Sequence, residues 1–331
     1  MSSKKLIYQF TSLFLLIVTV FLLCGCNSQT PITRTGLFFD TSISITIYDS
    51  SKKAVLDTCM DMADYYENLF SISIPSSDIY KINTANGEPV LVDGETICLL
   101  EEALFYAALS KGIVDPTIGT LSFLWKEALE NATPPEDALI QEALSHVNYE
   151  NIIIDGQYVS LKDAQTRLDL GFIAKGYIAD KLKEYLISQN IQSGIINLGG
   201  NVLTIGSKPD RSSYTIGIQE PFASMGQYAD IVSVTNKSVV SSGVYERCFE
   251  FHGTYYHHII DTKTGYPTDS DLLSATIISD SSVMGDALST ICLSLGSEKS
   301  FELMEVLNQT LDTPVELILI TSDYQILKSN S

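Results

Sequence analysis

Basic residues are scarce in this chain: Lys and Arg together number 20 against 40 Asp and Glu, for a formal charge of −20 at neutral pH. A chain this acidic does not seek nucleic acid or anionic lipid through bulk electrostatics. A nucleotide can still bind where a metal ion supplies local positive charge. The acidity is spread along the sequence and reads mainly as a solubility feature. Cysteine is scarce too. Of six, Cys59, Cys98, Cys248 and Cys292 have spacings that fit neither a metal motif nor a compact disulfide framework. Cys59 and Cys292 fall in helical apolar patterns, so buried free thiols are expected there. The apolar run Leu13 to Leu23 is too short for a comfortable transmembrane span. There is no internal repeat and no low-complexity tract. What remains is a globular composition, 45% hydrophobic over 331 residues, long enough for one large domain or two smaller ones.

The first residues read as a processing signal. Lys4 and Lys5 precede the apolar run, which ends Leu23-Cys24-Gly25-Cys26. This resembles a bacterial lipobox with Cys26 as acceptor; Cys24 fits less well because Leu23 would stand where a small residue is expected. The expectation is a lipoprotein signal peptide over 1–25, a lipidated Cys26 with a flexible tether over 26–35, and one domain over 36–331. Such a protein is held at the cell membrane on the extracytoplasmic face. The plainer alternative is a secretory signal with two incidental cysteines.

Leu37 to Tyr48 alternates Ile43, Ile45 and Ile47 with polar residues and predicts one half-buried strand. Lys52 to Phe70 and Glu95 to Lys111 carry apolar residues at helical spacing, with a polar loop around Pro75 to Asp78 between them. Asp115-Pro116 predicts an extended or turn segment, and Pro134-Pro135 opens a short helix ending near His146. Ile152 to Leu161 reads as a hairpin about Asp155-Gly156. Arg167 to Asp180 reads as a short strand, a tight turn and a helix. Ile195 to Ile205 is a strand broken at Gly199-Gly200, and short strands alternate with turns up to Ile260. Ser274 to Ser279 predicts a buried strand, followed by helix-capping oxygens at Asp280 to Ser282 and a helix to Gly296. A last helix from Ser297 and a strand over Val315 to Thr321 close the chain. Long helices segregate from runs of strands, so the fold class is α+β rather than a doubly wound sheet.

Four clusters could carry chemistry. Asp286 and Thr290 stand four apart and share a helix face, where a carboxylate and a hydroxyl could hold a hard cation such as Mg²⁺ beside phosphate oxygens. The plain alternative is an exposed Asp and a Thr bonding back to its own helix. Asp169-Leu170-Gly171-Phe172-Ile173-Ala174-Lys175 places a turn and a helix N-terminus where an anion can sit, with Lys175 one turn in. Adjacent His257 and His258 on a strand point to opposite faces, so at most one serves a given site. Ser241 to Arg247 offers small hydroxyls, an aromatic ring and a guanidinium that suit a phosphate or flavin contact, or a plain strand end.

In series these segments resemble the ApbE family, the FAD:protein FMN transferases. The resemblance rests on FFDTSISITIYD, FSISIPSSDIYKIN, GIVDPTIGTLSFLW, RLDLGFIAKGYIAD, INLGGNV, SSGVYER, HHIIDTKTGYP and MGDALSTICLSLG, in the family's order across most of 37–296. It implies mixed or antiparallel sheets with flanking helices and an active site in a cleft between subdomains. It implies FAD as substrate with Mg²⁺, and transfer of the FMN half to a Ser or Thr hydroxyl of an exported or membrane flavoprotein carrying a flavinylation motif, releasing AMP. On matching positions it implies Asp286, Thr290 and the Phe172 carbonyl as metal ligands. FAD contacts are implied at Phe39, Ser73, Ile113, Val114, Asp115, Asp169, Lys175 and Ile260, and His258 as base for the acceptor hydroxyl. Phe39 stands where many members have Met, Asp40 where they have Gly, and Ser73 where some have an aromatic ring. Thr262 stands where the family turn has Pro.

A hydroxyl is a poor nucleophile near neutral pH and needs such a base. Water in its place would give an Mg²⁺-dependent FAD pyrophosphatase. A non-catalytic flavin-binding lipoprotein is a third reading, which the joint presence of His258, Asp286 and Thr290 disfavours, since a binder needs no acceptor base. Asp93-Gly94-Glu95-Thr96 begins like an acceptor motif, but Ile97 breaks it, so self-modification is not expected.

Overall fold

A computed structural model describes residues 30–224 and 226–329. The expected signal peptide and Cys26 lie outside the described residues. The chain builds around one eight-stranded sheet in the order β1-β2-β6-β7-β10-β13-β14-β15, from β1 (Ile32–Phe38) at one edge to β15 (Ile326–Lys328) at the other, every neighbouring pair antiparallel.

Strand alternation decides what each face carries. Ile43, Ile45 and Ile47 of β2 (Thr41–Ile47), Ile196 and Leu198 of β6 (Gly194–Leu198), and Leu203 and Ile205 of β7 (Asn201–Ile205) face the main core. Ala275 and Ile277 of β13 (Leu272–Ser279) join them, with Leu317 and Leu319 of β14 (Glu316–Thr321). The apolar stripes of α1 (Lys53–Phe70), α6 (Ala174–Ser188), α7 (Ser282–Leu295) and α8 (Ser297–Asn308) cover that face. The alternate residues Ile278, Ile318 and Ile320, with Val239 of β10 (Ser238–Gly243), face the other way. There the hairpin of β8 (Tyr214–Gln219) and β9 (Tyr228–Val234) covers them. With both faces of β13 covered, its sequence is an apolar run rather than an alternation.

A third cluster joins Trp125 of α4 (Gly119–Asn131) and Ile140 of α5 (Asp137–Leu144) to Phe249 of β11 (Cys248–Phe251) and to Ile260. Trp125 stacks on Tyr256 of β12 (Thr254–His257) at 5.6 Å, and its Nε1 donates to the Gly265 carbonyl at 2.8 Å. This holds the hairpin that ends at His257 and His258. A small sheet, β3 (Val90–Leu91), β5 (Tyr158–Leu161) and β4 (Ile152–Asp155), lies beside α2 (Asp78–Thr84), and α3 (Gly94–Leu109) follows β3 in the chain.

Several expectations change. The expectation of a tether over 26–35 does not hold to its end, because β1 (Ile32–Phe38) begins inside that span; as an edge strand with mostly exposed residues, β1 has the polar composition of a spacer. The single strand over Leu37 to Tyr48 is a hairpin. Phe39 and Asp40 both turn with φ of 55°, and the Phe39 N–H donates to Glu67 at 2.7 Å. That tertiary bond holds a tight turn lacking the Asn-Gly signal. The break at Gly199-Gly200 is likewise a hairpin turn, with φ of 62° and 95°. A Cβ on Gly199 would lie 2.5 Å from Thr41 Oγ1. The loop after Pro75 contains α2 (Asp78–Thr84), capped by the Ser77 hydroxyl, which accepts from Tyr80 N at 3.0 Å. The strand expected near Arg167 is only an isolated bridge to Ile118; Asn83 takes the place of a partner strand, bonding both the N–H and the carbonyl of Leu168. Cys59 and Cys292 are buried free thiols, as expected. Among the described residues no helix is long and apolar enough to cross a membrane.

Candidate active site

The turn after Asp169 is built by its own side chain: Oδ1 accepts from Gly171 N at 2.9 Å, and the backbone N–H of Asp169 is fixed on the Pro116 carbonyl. Helix α6 then starts at Ala174 with no side-chain cap from Ile173. A remote carboxylate serves instead. Asp286 Oδ2 accepts from Gly176 N at 2.8 Å, inside the first turn of α6. The approach requires glycine, since a Cβ on Gly176 would lie 2.3 Å from the Ser282 carbonyl oxygen. Lys175 Nζ sits 3.5 Å from Asp286 Oδ1 and donates to the Gly171 carbonyl at 3.2 Å. An ammonium thus bridges the carboxylate and the turn.

Asp286 is 4% exposed, whereas the Lys175 side chain is 30% exposed, so the pair opens to solvent on the lysine side. Burial pushes the Asp286 carboxyl above its usual range, while the Lys175 charge, the Gly176 N–H and Asn201 pull it back. Asn201 is itself buried; its Oδ1 accepts from Ser282 Oγ at 2.7 Å, and its Nδ2 makes no well-formed hydrogen bond among the described residues.

Thr290 lies one turn after Asp286. Its hydroxyl is 3.3 Å from the Asp286 carbonyl and 3.1 Å from Ser242 Oγ. The helix carbonyl is within reach of Thr290 but Ser242 is nearer, and the exposed alternative does not hold for Asp286.

Strand β10 leads from Ser242 to Glu246 and Arg247, and His258 N donates to the Arg247 carbonyl at 3.1 Å. The His258 imidazole is pushed down to about 3 by burial first, then by the charges of Arg247, His257 and Lys175. Its Nδ1 is buried with no partner among the described residues. His257 is spoken for: Nε2 meets the Thr268 carbonyl and Nδ1 accepts from Ile259 N. Glu246 is exposed as a residue, yet protein crowding raises its carboxyl, with Lys175 and Arg247 opposing and Asp286 adding to the rise.

Lys175 and Asp286 thus meet at the turn at 169–176, with Thr290 one helical turn on from Asp286 and His258 close enough to feel the Lys175 charge. Asp115 is a loop staple: Oδ1 accepts from the N–H and hydroxyl of Thr117, and Oδ2 from Tyr149 N. Burial raises its carboxyl. The loop carrying Ile113 and Val114 is tied to the 261–265 turn where Thr262 Oγ1 donates to the Gly112 carbonyl. Ile260 is buried and bridges to Pro267. Phe172 packs its ring on the main core. Phe39 and Ser73 bond elsewhere, to Glu67 and Ser71. Reading the sequence missed Asn201 and Ser289; paired glycines at 199–200 were the signal for the first.

The residues fit a hard cation. Among the described residues there is no cluster of three His, Cys, Asp or Glu side chains. The donor set is one buried carboxylate with hydroxyl and carbonyl oxygens, and an ammonium already lies between two of those oxygens.

Fold and site together define an antiparallel α+β protein that sets a buried acid–lysine pair and a neutral histidine near a turn at a helix N-terminus. The ApbE family model matches residues 39–313, and the chain belongs to the ApbE family. It is 33% identical over 313 residues to the FAD:protein FMN transferase of Treponema pallidum, covering 87% of this chain and 86% of that one. It is 34% identical over 284 residues to one from Klebsiella pneumoniae, covering 85% and 86%. The crystal structure of the ApbE protein of Thermotoga maritima superposes with a TM-score of 0.82 at 28% identity, over 91% of this chain and 97% of that one.

Proposed function

We propose that this protein transfers the FMN half of FAD to a Ser or Thr hydroxyl of a partner flavoprotein, with AMP as the other product and Mg²⁺ as cofactor. The observation that carries the reading is the meeting of Asp286, Lys175 and the 169–176 turn beside a neutral histidine whose Nδ1 has no partner among the described residues. Asp286, Thr290 and the Phe172 carbonyl would hold the cation. When bound there, Mg²⁺ neutralises charge on the diphosphate oxygens.

The chain's own residues do the rest. Lys175 and Arg247 attract the diphosphate, and the N–H groups of the turn orient it. His258 Nδ1 accepts the proton of the acceptor hydroxyl. The hydroxyl oxygen bonds to the FMN-side phosphorus, the bond from that phosphorus to the bridging oxygen breaks, and AMP leaves with the electron pair. The 113–115 loop, Asp169 and Ile260 would line the FAD, with Phe39 and Ser73 at its margins. On the same reading, residues 1–25 are a lipoprotein signal and Cys26 holds the mature enzyme on the extracytoplasmic face of the cell membrane.

The test is incubation with FAD, Mg²⁺ and a flavoprotein acceptor carrying the Ser/Thr motif, followed by a denaturing gel read for covalent flavin fluorescence. A fluorescent acceptor band is expected. Free FMN and AMP with an unlabelled acceptor would replace the transferase by an FAD pyrophosphatase.

A further inference from the structure

The contact between strand β10 and helix α7 is lined by hydroxyls, and at one end they form a chain whose proton order can be read. Ser289 Oγ donates to the Asp286 carbonyl at 2.9 Å; a carbonyl only accepts, so that proton is committed. Ser242 Oγ lies 2.9 Å from Ser289 Oγ and 3.1 Å from Thr290 Oγ1. With the Ser289 proton spent, Ser242 donates to Ser289, and the Ser242 lone pairs are left to receive the Thr290 proton. The competing partner for that proton, the Asp286 carbonyl, is farther away at 3.3 Å. Two consecutive bonds of 2.9 Å therefore turn the Thr290 O–H inward onto Ser242 and leave the Thr290 lone pairs free.

We infer that Ser242, backed by Ser289, is a positioning residue that aims the lone pairs of Thr290 at the cation beside Asp286. This rests on the reading above that Thr290 is a ligand. A hydroxyl ligates a hard cation through a lone pair, so its proton must have an acceptor on the far side. Groups that orient a ligand in this way typically change metal affinity about 10–100-fold when removed. A seam of hydroxyls that merely let strand and helix approach would not do so. Gly285, where a Cβ would meet Val240 Cγ2 at 2.8 Å, already provides the close approach.

Mn²⁺ serves as the probe, its binding to the full mature chain followed by electron paramagnetic resonance in the absence of FAD. S242A is expected to raise the half-saturating Mn²⁺ about tenfold, and T290A at least as much. The S242A/T290A double variant should bind no more weakly than T290A alone, because Ser242 acts only through Thr290. Thermal melts check that each variant is folded; if S242A is not, S242C keeps the volume and removes the strong acceptor. A folded S242A that binds Mn²⁺ like the wild type overturns the inference, and so do additive losses in the double variant. Wild-type protein that binds no Mn²⁺ removes the cation reading itself. Mn²⁺ binding with an intact Ser242 dependence but no flavin transfer would leave this inference standing and overturn the transferase reading.

Discussion

His258 holds an uncharged imidazole in the resting protein, since burial and the nearby cations bring it down to about 3. A neutral ring can take a proton at once, but one so low is a weak base. An arriving diphosphate brings negative charge next to the ring and favours its protonated form, so binding of FAD raises its basicity. The prediction for the free enzyme is that the His258 ring signals in proton NMR do not titrate between pH 5 and 8. A titration near 6.5 would contradict it. The stability consequence has a definite sign: the unfolded chain takes a proton below about 6.5 that the folded chain refuses until about 3. The contribution of His258 is present above 6.5 and is lost as pH falls through that window. Asp286 gives a second prediction at this scale. D286N keeps the shape but removes the charge that meets Lys175 and, on the proposed function, would meet the cation. We expect transfer to drop about 10²–10³-fold, as for loss of one preorganised electrostatic group, measured as the rate of acceptor labelling. Unchanged labelling would rule out Asp286 as the anchor. The shared face of Asp286 and Thr290 was legible in the sequence, because residues four apart on a helix lie one turn above the other. The engagement of Asp115 by Tyr149 was not, since it spans 34 residues.

The elements that carry these residues meet through N-termini. Asp180 on α6 accepts from Ser282 N and Val283 N and from the Ser281 hydroxyl, each at 2.9 Å, and so caps α7 from a neighbouring helix. Asp286 on α7 returns the favour at Gly176 in the first turn of α6. The two helices are locked by reciprocal carboxylates, and the lock fixes the distance from Lys175 to Asp286. D180A should cost about 2 kcal/mol, the loss of a helix cap with buried donors left over, read as a shift in urea midpoint at unchanged slope. A midpoint within error of wild type would show that Ser281 suffices. Local pattern disclosed Ser281, which accepts from Met284 N, because a cap lies beside its own helix. Asp180 was invisible, because it lies 102 residues from Ser282. The same limit explains the hairpin at Phe39-Asp40 and the bridge at Arg167. In each, a distant side chain, Glu67 or Asn83, supplies what the local sequence lacks. Helices with a full apolar stripe and strands with clean alternation were readable, because one buried face is enough to set their period.

The molecule as a whole carries −20 and must fold against its own repulsion. Self-repulsion of this kind destabilises the compact state and is relieved by salt. At about 10 mM salt the screening length is about 30 Å, comparable with the molecule; at about 150 mM it is about 8 Å, and only neighbouring charges interact. Salt also weakens the ion pairs. Most of these are partly exposed on both sides, such as Arg34–Asp57 and Lys126–Asp40, and are worth little to begin with. Lys175–Asp286 has one partner 5% exposed and is screened far less. Repulsion should therefore outweigh the pairs, and the melting temperature should rise between about 10 and 150 mM sodium chloride in metal-free buffer. Chloride and sulfate at equal ionic strength should give the same rise, because screening does not distinguish ions. A melting temperature that falls with salt would mean that the exposed pairs cooperate as a network and that the acidity of this chain is balanced locally rather than tolerated globally.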